Sequence, residues 1–470
     1  MFETLEKHGK SIALISELNE TYSYEQLAEL STSYVSKLKL GTICLLICEM
    51  SPVTIIFYIG LVRKGITTIM IPVSTNENQL KKLVAKYSPN YIISNSNLNS
   101  FHSKFRVLDT YNRFIIYANL LEKTELSLQE IAICLPTSGS TGSPKFAKLS
   151  RTNLDSNAKS IISALNITKE QVTITTLPIH YAYGLSVLNT SLEVGAKLVV
   201  TSKQVISKDF WRLVVDNQVN TLSGVPFFFE QLMKVSTEFL SKTKINKFTQ
   251  AGGKLDKLVR EHFIRICSAT GISFFVMYGQ TEATARISVL PAEEFAKYED
   301  CIGFAVPDGK LTLIDENDEN IVKPGIIGEI CYEGPNVYLG YANNRQQLFT
   351  IDSNVSKLHT GDIGYFDTEG RFYITGRLKR IAKLLGNRIN LLEVEEYLAE
   401  CGYKAACVEH NARLNVVCVG DKKLAEVKDL LIKFLNINPK LVSVKMVSTI
   451  PRLISGKVDY SSIIEFLGEG

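Results

Sequence analysis

The sequence predicts an α/β protein with largely parallel sheets, divided into two or more domains. Apolar runs of strand length alternate with longer segments of helical spacing along most of the chain, the signature of strands joined by crossover helices. A length of 470 residues also exceeds what a single hydrophobic core holds.

Taken in order, residues 21–40 place Leu27, Leu30, Tyr34 and Leu38 at helical spacing. Ser23, with Gln26 three positions on, predicts a capping box. Ile43–Cys48 reads as a strand, Val53–Val62 as a buried helix and Thr67–Val73 as the next strand, with the alternation expected to continue to about residue 130. Val53–Val62 is about half the length needed to cross a bilayer, so no membrane span is expected. The N-terminal stretch MFETLEKHGK lacks the apolar core of a signal peptide. Further on, Thr152–Asn166 and Lys208–Asn217 read as helices, and Val172–Leu177 and Lys197–Thr201 as strands.

Composition narrows the function classes. The 45% hydrophobic and 21% charged fractions are those of a globular protein. A net charge of +4, from 52 basic against 48 acidic residues, implies no nucleic-acid surface. Nine cysteines without a CxxC pair indicate neither a zinc site nor a disulfide framework. Reduced thiols in a cytoplasmic protein are the reading they support.

The stretch with most chemistry in it is Leu135–Lys145, L-P-T-S-G-S-T-G-S-P-K. An apolar run, Ile131–Leu135, enters it like a buried strand. Gly139 and Gly142 permit backbone angles that turn amide N–H groups toward an anion. Thr137, Ser138, Ser140 and Thr141 add hydroxyls, and Lys145 adds a positive charge, so the loop is suited to a polyphosphate. It is not a Walker A loop, because Pro144 precedes Lys145 and Phe146 follows it.

T-S-G-S-T-G-x-P-K closely resembles the phosphate loop of the acyl-adenylate-forming (AMP-binding) superfamily: acyl-CoA synthetases, aryl-CoA ligases, peptide-synthetase adenylation domains and luciferases. Further motifs resemble the same family in order. Met277–Thr284, M-Y-G-Q-T-E-A-T, resembles its Y-G-x-T-E motif and lies about 130 residues after the loop. The resemblance implies that Tyr278, with Gly279, receives adenine, Thr281 meets the α-phosphate and Glu282 binds Mg²⁺. Ala251–Leu255 is similar to the family's glycine turn under adenine and acyl group, implicating Gly252 and Gly253. H-T-G-D-I-G-Y supplies Asp362 for the ribose hydroxyls, joined by Arg377 of Y-I-T-G-R. Lys379 stands at the family's hinge position, Gly386 in the turn that lines its thiol tunnel, and Lys457, in S-G-K-V-D, at its C-terminal catalytic lysine.

In L-P-I-H-Y-A-Y-G-L, Leu177–Leu185, His180 lies between a strand end and a glycine turn. The resemblance places it beside the carboxylate pocket, with Tyr181, Gly184, Phe227 and Gly253 as candidate pocket residues. Amino-acid-activating relatives carry an Asp in this segment, whereas this chain has no acid between Leu177 and Ser191. An unpaired ammonium would be costly to bury, so an ordinary α-amino acid is disfavoured. Three aromatics in an ordinary core remain an equal reading of Phe227, Phe228 and Phe229. Phe146, where the family usually has Gly, and Arg151, where it commonly has His, are departures; Phe146 is expected to alter the shape of the loop.

The resemblance implies residues 1–378 as an adenylate-forming domain, α/β subdomains plus a small β-rich one, and 379–470 as a small mobile α+β domain carrying Lys457. It also implies a two-step ligase. A small carboxylic acid and MgATP give an acyl-adenylate and pyrophosphate, and the acyl group passes to a phosphopantetheine thiol of coenzyme A or of a carrier protein in trans. The alternative is a stand-alone enzyme activating an amino or hydroxy acid for a carrier protein. A kinase-like P-loop enzyme is disfavoured by the missing Walker pair. A silent scaffold is disfavoured because Lys145, Glu282, Asp362, Arg377 and Lys457 are all retained.

Overall fold

The computed structural model of the chain describes residues 2–101, 103–121, 130–137, 145–352, 356–384, 387–420, 424–435, 437–453 and 457–468. Two compact units emerge: Met1–Glu299 with Ala305–Lys310 and Tyr332–Leu358, and Asp300–Phe304 with Leu311–Cys331 and His359–Gly470.

The first unit is built on two sheets whose centres are parallel. In one, strands Ile12–Ser16, Lys197–Val200, Val172–Ile174, Thr221–Gly224, Lys247–Gln250 and Ser273–Tyr278 run parallel side by side. In the other, Tyr91–Ser94, Ile43–Cys48, Thr67–Pro72 and Ile131–Thr137 do so. Ser23 and Gln26 form the expected reciprocal capping box at the start of helix Tyr24–Tyr34. The apolar stretch around Val53 becomes helix Pro52–Lys64, in which Ile55–Ile59 and Leu61 are fully buried. Such side chains each contribute about 1.5–3 kcal/mol on burial. They belong to a core that draws Leu14 and Leu198 from one sheet and Leu46 and Ile93 from the other. Among the described residues no helix is long and apolar enough to cross a membrane.

The strand–helix alternation does not continue to residue 130. Phe105–Tyr111 and Phe114–Asn119 form an antiparallel hairpin against Tyr91–Ser94. The reason is local: Asn112, at φ 52°, takes the left-handed conformation of a tight turn, with Tyr111 opposite Phe114.

In the second unit, strands Cys301–Ala305, Phe372–Arg377 and Leu358–Phe366 lie antiparallel. Beyond them, hairpin Ile381–Leu384 with Asn387–Asn390, helix Leu391–Glu400 and the three strands Lys404–His410, Arg413–Val419 and Val442–Val447 surround their own core of Leu384, Val394, Leu398, Val416 and Leu431. Lys379 lies in the short 3-10 turn Leu378–Arg380, inside this unit. Arg380 bonds the Glu395 carboxylate at 2.6 Å and stacks 4.0 Å from the Tyr460 ring centre. No disulfide joins any of the nine cysteines.

Candidate active site

Two paired strands flank the Ser/Gly-rich stretch in sequence. Thr137 stands opposite Lys145 in the antiparallel ladder of Ile131–Thr137 with Lys145–Ser150, and its hydroxyl donates to the Lys145 carbonyl at 3.1 Å. Ser138, Gly139, Ser140, Thr141 and Gly142 lie outside the described residues, as does Gly386. Phe146 is fully buried, edge-on to Tyr87 with ring centres 5.5 Å apart. It is a core residue, facing Tyr87, Ala342 and Leu348 in one cluster. Alternation along a strand sends it to the side opposite Lys145, so its bulk fills the core beneath the strand.

Lys145–Ser150 also pairs with Tyr341–Ala342, and this brings Lys145 to the Y-G-x-T-E segment. Tyr341 donates its phenol proton to Glu282 Oε1 at 2.6 Å, while Lys145 Nζ lies 5.7 Å from the centre of the same ring. Burial and the neighbouring Glu282 charge push the Tyr341 pKa up, so the phenol stays protonated and donating. The Glu282 carbonyl accepts from the Tyr338 amide at 2.9 Å.

The turn that presents Glu282 is held from beneath. Thr281–Ala283 is a single 3-10 turn, and Thr284 follows at φ 64°, a conformation rare for a β-branched residue. Asn336 holds it there: its side-chain amide donates to the Ala283 and Arg286 carbonyls at 2.9 and 3.1 Å, and its main-chain carbonyl accepts from the Thr284 hydroxyl at 2.7 Å. Gly279 is required, since a Cβ there would overlap the Ala285 carbonyl. Tyr278 ends strand Ser273–Tyr278 and is 7% exposed.

Across the first sheet, His180 lies in the turn between strand Val172–Ile174 and helix Ala182–Val194. It is buried, and neither ring nitrogen has a hydrogen-bond partner among the described residues. Burial drives its pKa down to about 4, so the imidazole is neutral at pH 7. Tyr181 caps the helix, with its ring 4.4 Å from that of His180. Gly184 belongs to the first turn of this helix rather than to a loop. A Cβ on it would strike the Pro178 and Leu177 carbonyls, so glycine lets the helix close on the His180 turn. Gly252, at φ 90°, and Gly253 follow strand Lys247–Gln250, and the Gln250 amide donates to the Gly253 carbonyl at 2.7 Å. Phe228 and Phe229 go to the core with Phe248, Phe263 and Phe274, whereas Phe227 is 40% exposed. The core reading therefore describes two of the three aromatics, leaving Phe227 as the one able to face a ligand.

In the second unit Asp362 stands opposite Arg377 in the ladder, its buried carboxylate 2.5 Å from the Arg377 Nε. The strand just before Asp362 is held by Glu329, which accepts from the Gly361 amide at 3.0 Å and lies 3.2 Å from His359 Nδ1. Lys457 is exposed in a small bridge where Arg452 pairs with Val458.

Tyr341, Asn336 and Glu329 were not predicted from sequence. Each acts by holding a motif residue in place, and nothing local in the sequence marks that role.

With this arrangement in place, the comparisons with known proteins identify the class. Residues 1–342 match the family described as AMP-binding enzyme, and the chain belongs to that family. It is 28% identical over 357 residues to luciferin 4-monooxygenase of Nipponoluciola cruciata, covering 72% of this chain and 64% of that protein. It is 26% identical over 375 residues to D-alanine–D-alanyl carrier protein ligase of Bacillus cytotoxicus, covering 77% and 73%. The match thus spans just under two-thirds of the luciferin enzyme's length. The fold matches o-succinylbenzoate CoA synthetase of Bacillus subtilis, solved with an acyl-adenylate intermediate, at a TM-score of 0.79 and 19% identity over 97% of this chain and 96% of that one.

Proposed function

We propose that this protein is an ATP-dependent, AMP-forming carboxylate–thiol ligase. The observation that carries the reading is the meeting of two motifs: Lys145, at the end of the Ser/Gly loop, lies over the Tyr341 ring whose phenol bonds Glu282. A cation, a hard carboxylate oxygen and a hydroxyl-rich loop are what a polyphosphate and its metal ion require.

In the first step an oxygen of the substrate carboxylate attacks the α-phosphorus of ATP. The bond from that phosphorus to the pyrophosphate oxygen breaks, leaving an acyl-adenylate. Charge builds on the phosphoryl oxygens, and pre-placed donors and cations are the main way to lower that barrier. Lys145, Thr281, the loop hydroxyls and Lys457 are assigned that task. Glu282 is assigned to hold Mg²⁺, which would supply further positive charge to the phosphates. Tyr278, Gly252 and Gly253 are assigned to adenine, and Asp362 and Arg377 to the ribose. In the second step a phosphopantetheine thiolate attacks the acyl carbonyl, and the carbonyl–phosphate bond breaks to release AMP. We assign the hinge of the exchange to Lys379 and the thiol tunnel to Gly386.

The neutral, unpartnered His180 imidazole supports placing the carboxylic acid beside Tyr181, Gly184 and Phe227. A buried polar group without a partner costs about 1–3 kcal/mol, a cost removed when a ligand supplies the hydrogen bond. The acceptor is coenzyme A or a carrier protein in trans. A relative that loads a carrier protein and the absence of an acid in the His180 segment keep a hydroxy acid delivered to a carrier as the second reading. Mostly buried thiols outside any disulfide, with Cys134 and Cys267 pushed by burial up to about 12, fit a reducing cytoplasm.

The test is acid-dependent pyrophosphate release over a panel of acyl, aryl, hydroxy and amino acids, with and without coenzyme A. Release accelerated by coenzyme A for one acid identifies an acyl-CoA ligase. Release that stops near one turnover identifies a carrier-dependent enzyme, and no release with any acid contradicts the reading.

A further inference from the structure

Arg286 is a buried cation in the first unit for which no described residue provides an anion. It is 2% exposed, and its partners are the Ser186 hydroxyl, the Met277 thioether at 3.4 Å and the face of Tyr183 at 4.1 Å. Among the described residues no carboxylate pairs with it. Two other deeply placed arginines are treated differently. Arg371 bonds Asp367 and Glu369 at 3.2 and 2.7 Å, and Arg380 bonds Glu395 at 2.6 Å. Removing an unpaired charge from water costs several kcal/mol, and arginine does not escape by deprotonating. Burial lowers the Arg286 pKa to about 10, which leaves it charged at neutral pH.

The position of this cation gives it a use. Tyr183 and Ser186 lie on helix Ala182–Val194, the helix that begins beside His180 and carries Gly184. Met277 adjoins Tyr278, and Arg286 follows Glu282 by four residues. The guanidinium therefore lies between the helix assigned to the acid and the turn assigned to the nucleotide. Tyr183 is itself anchored, donating to the Thr249 carbonyl at 2.7 Å, so the ring against Arg286 is fixed. His180, neutral in this fold, brings no charge to the region.

We infer that Arg286 reads a second anionic group on the substrate, so that the acid activated is a dicarboxylate: one carboxylate is adenylated and the other pairs with the guanidinium. The fork of N–H donors suits a carboxylate in bidentate geometry. This inference rests on the ligase reading above.

The test compares wild-type enzyme on dicarboxylic acids and on their monomethyl esters, following pyrophosphate release, and repeats the comparison with Arg286→Met and Arg286→Lys. The wild type is expected to favour the best diacid over its half-ester by about 100-fold or more in kcat/KM, because a site built for a charged partner rejects an analogue lacking it. Arg286→Met is expected to reduce that ratio about 100-fold, with Arg286→Lys intermediate. The wild-type ratio needs no variant, so the inference stays testable if Arg286→Met fails to fold. A wild type that uses half-esters or simple monoacids as well as diacids overturns this inference alone, as does a folded Arg286→Met with an unchanged ratio. No release with any acid overturns the ligase reading and this inference with it.

Discussion

Tyr341 and Glu282 are joined by a 2.6 Å hydrogen bond across 59 residues of sequence, and the same phenol ring lies beneath the Lys145 ammonium. One side chain thereby sets the position of an acid and borders a cation from two different motifs. The pairing of Tyr341–Ala342 with the strand that begins at Lys145 is what makes this possible.

Removing that phenol tests its positioning role. Tyr341→Phe keeps the ring under Lys145 but frees the carboxylate. Adenylation is expected to fall about tenfold, at a cost near 1.4 kcal/mol, with the loss concentrated in the response to Mg²⁺ and ATP. Titrating MgATP in steady-state pyrophosphate assays checks this. A variant whose MgATP dependence is unchanged would show the hydrogen bond to be incidental.

Glu282 itself is assigned a larger share. Glu282→Gln preserves the shape and removes the charge, and the rate is expected to drop about 10²–10³-fold, the usual loss for one charge-stabilising group. Single-turnover kinetics at saturating ATP give the number directly.

Phe146 is predicted to matter for stability. Phe146→Ala empties a fully buried site against Tyr87 and is expected to cost about 3–5 kcal/mol. Denaturant unfolding followed by fluorescence measures it. A variant as stable as wild type would contradict its placement in the core.

His180 gives a pH signature. Its pKa falls from 6.5 to about 4 on folding because burial penalises the charged form. The unfolded chain then binds the proton more readily, so stability is full above pH 6.5 and is lost as pH falls toward 4. Between pH 7.5 and 5 this group alone accounts for about 2 kcal/mol. His180→Gln is expected to flatten that part of the profile, measured as the variant-minus-wild-type difference in unfolding free energy. A difference independent of pH would refute the buried neutral imidazole.

How much of this was legible in the sequence depends on where the information lies. The Ser23–Gln26 cap and the helix around Val53 are written in local chemistry, and both were readable. The hairpin at Asn112 was not, because one left-handed residue redirects a chain whose apolar pattern is otherwise continuous. Phe146 could be seen to depart from the family pattern, but its direction was set by strand alternation relative to a core that only the fold reveals. Lys145 and Glu282 were readable as motif residues, while the Tyr341 that links them lies in a stretch that reads only as short strands and tight turns. Arg286 is the extreme case. Its meaning is that no described carboxylate pairs with it, which no stretch of sequence displays.

The most direct measurement is the identity of the nucleotide product, read by ³¹P NMR from full-length enzyme with MgATP, the best acid of the panel and coenzyme A, beside Lys457→Ala. Lys457 is exposed, so this variant is expected to keep the wild-type melting temperature. The account predicts AMP and pyrophosphate from wild type only when acid is present, and neither from Lys457→Ala. Formation of ADP and phosphate, or AMP formation that ignores the acid, would contradict it.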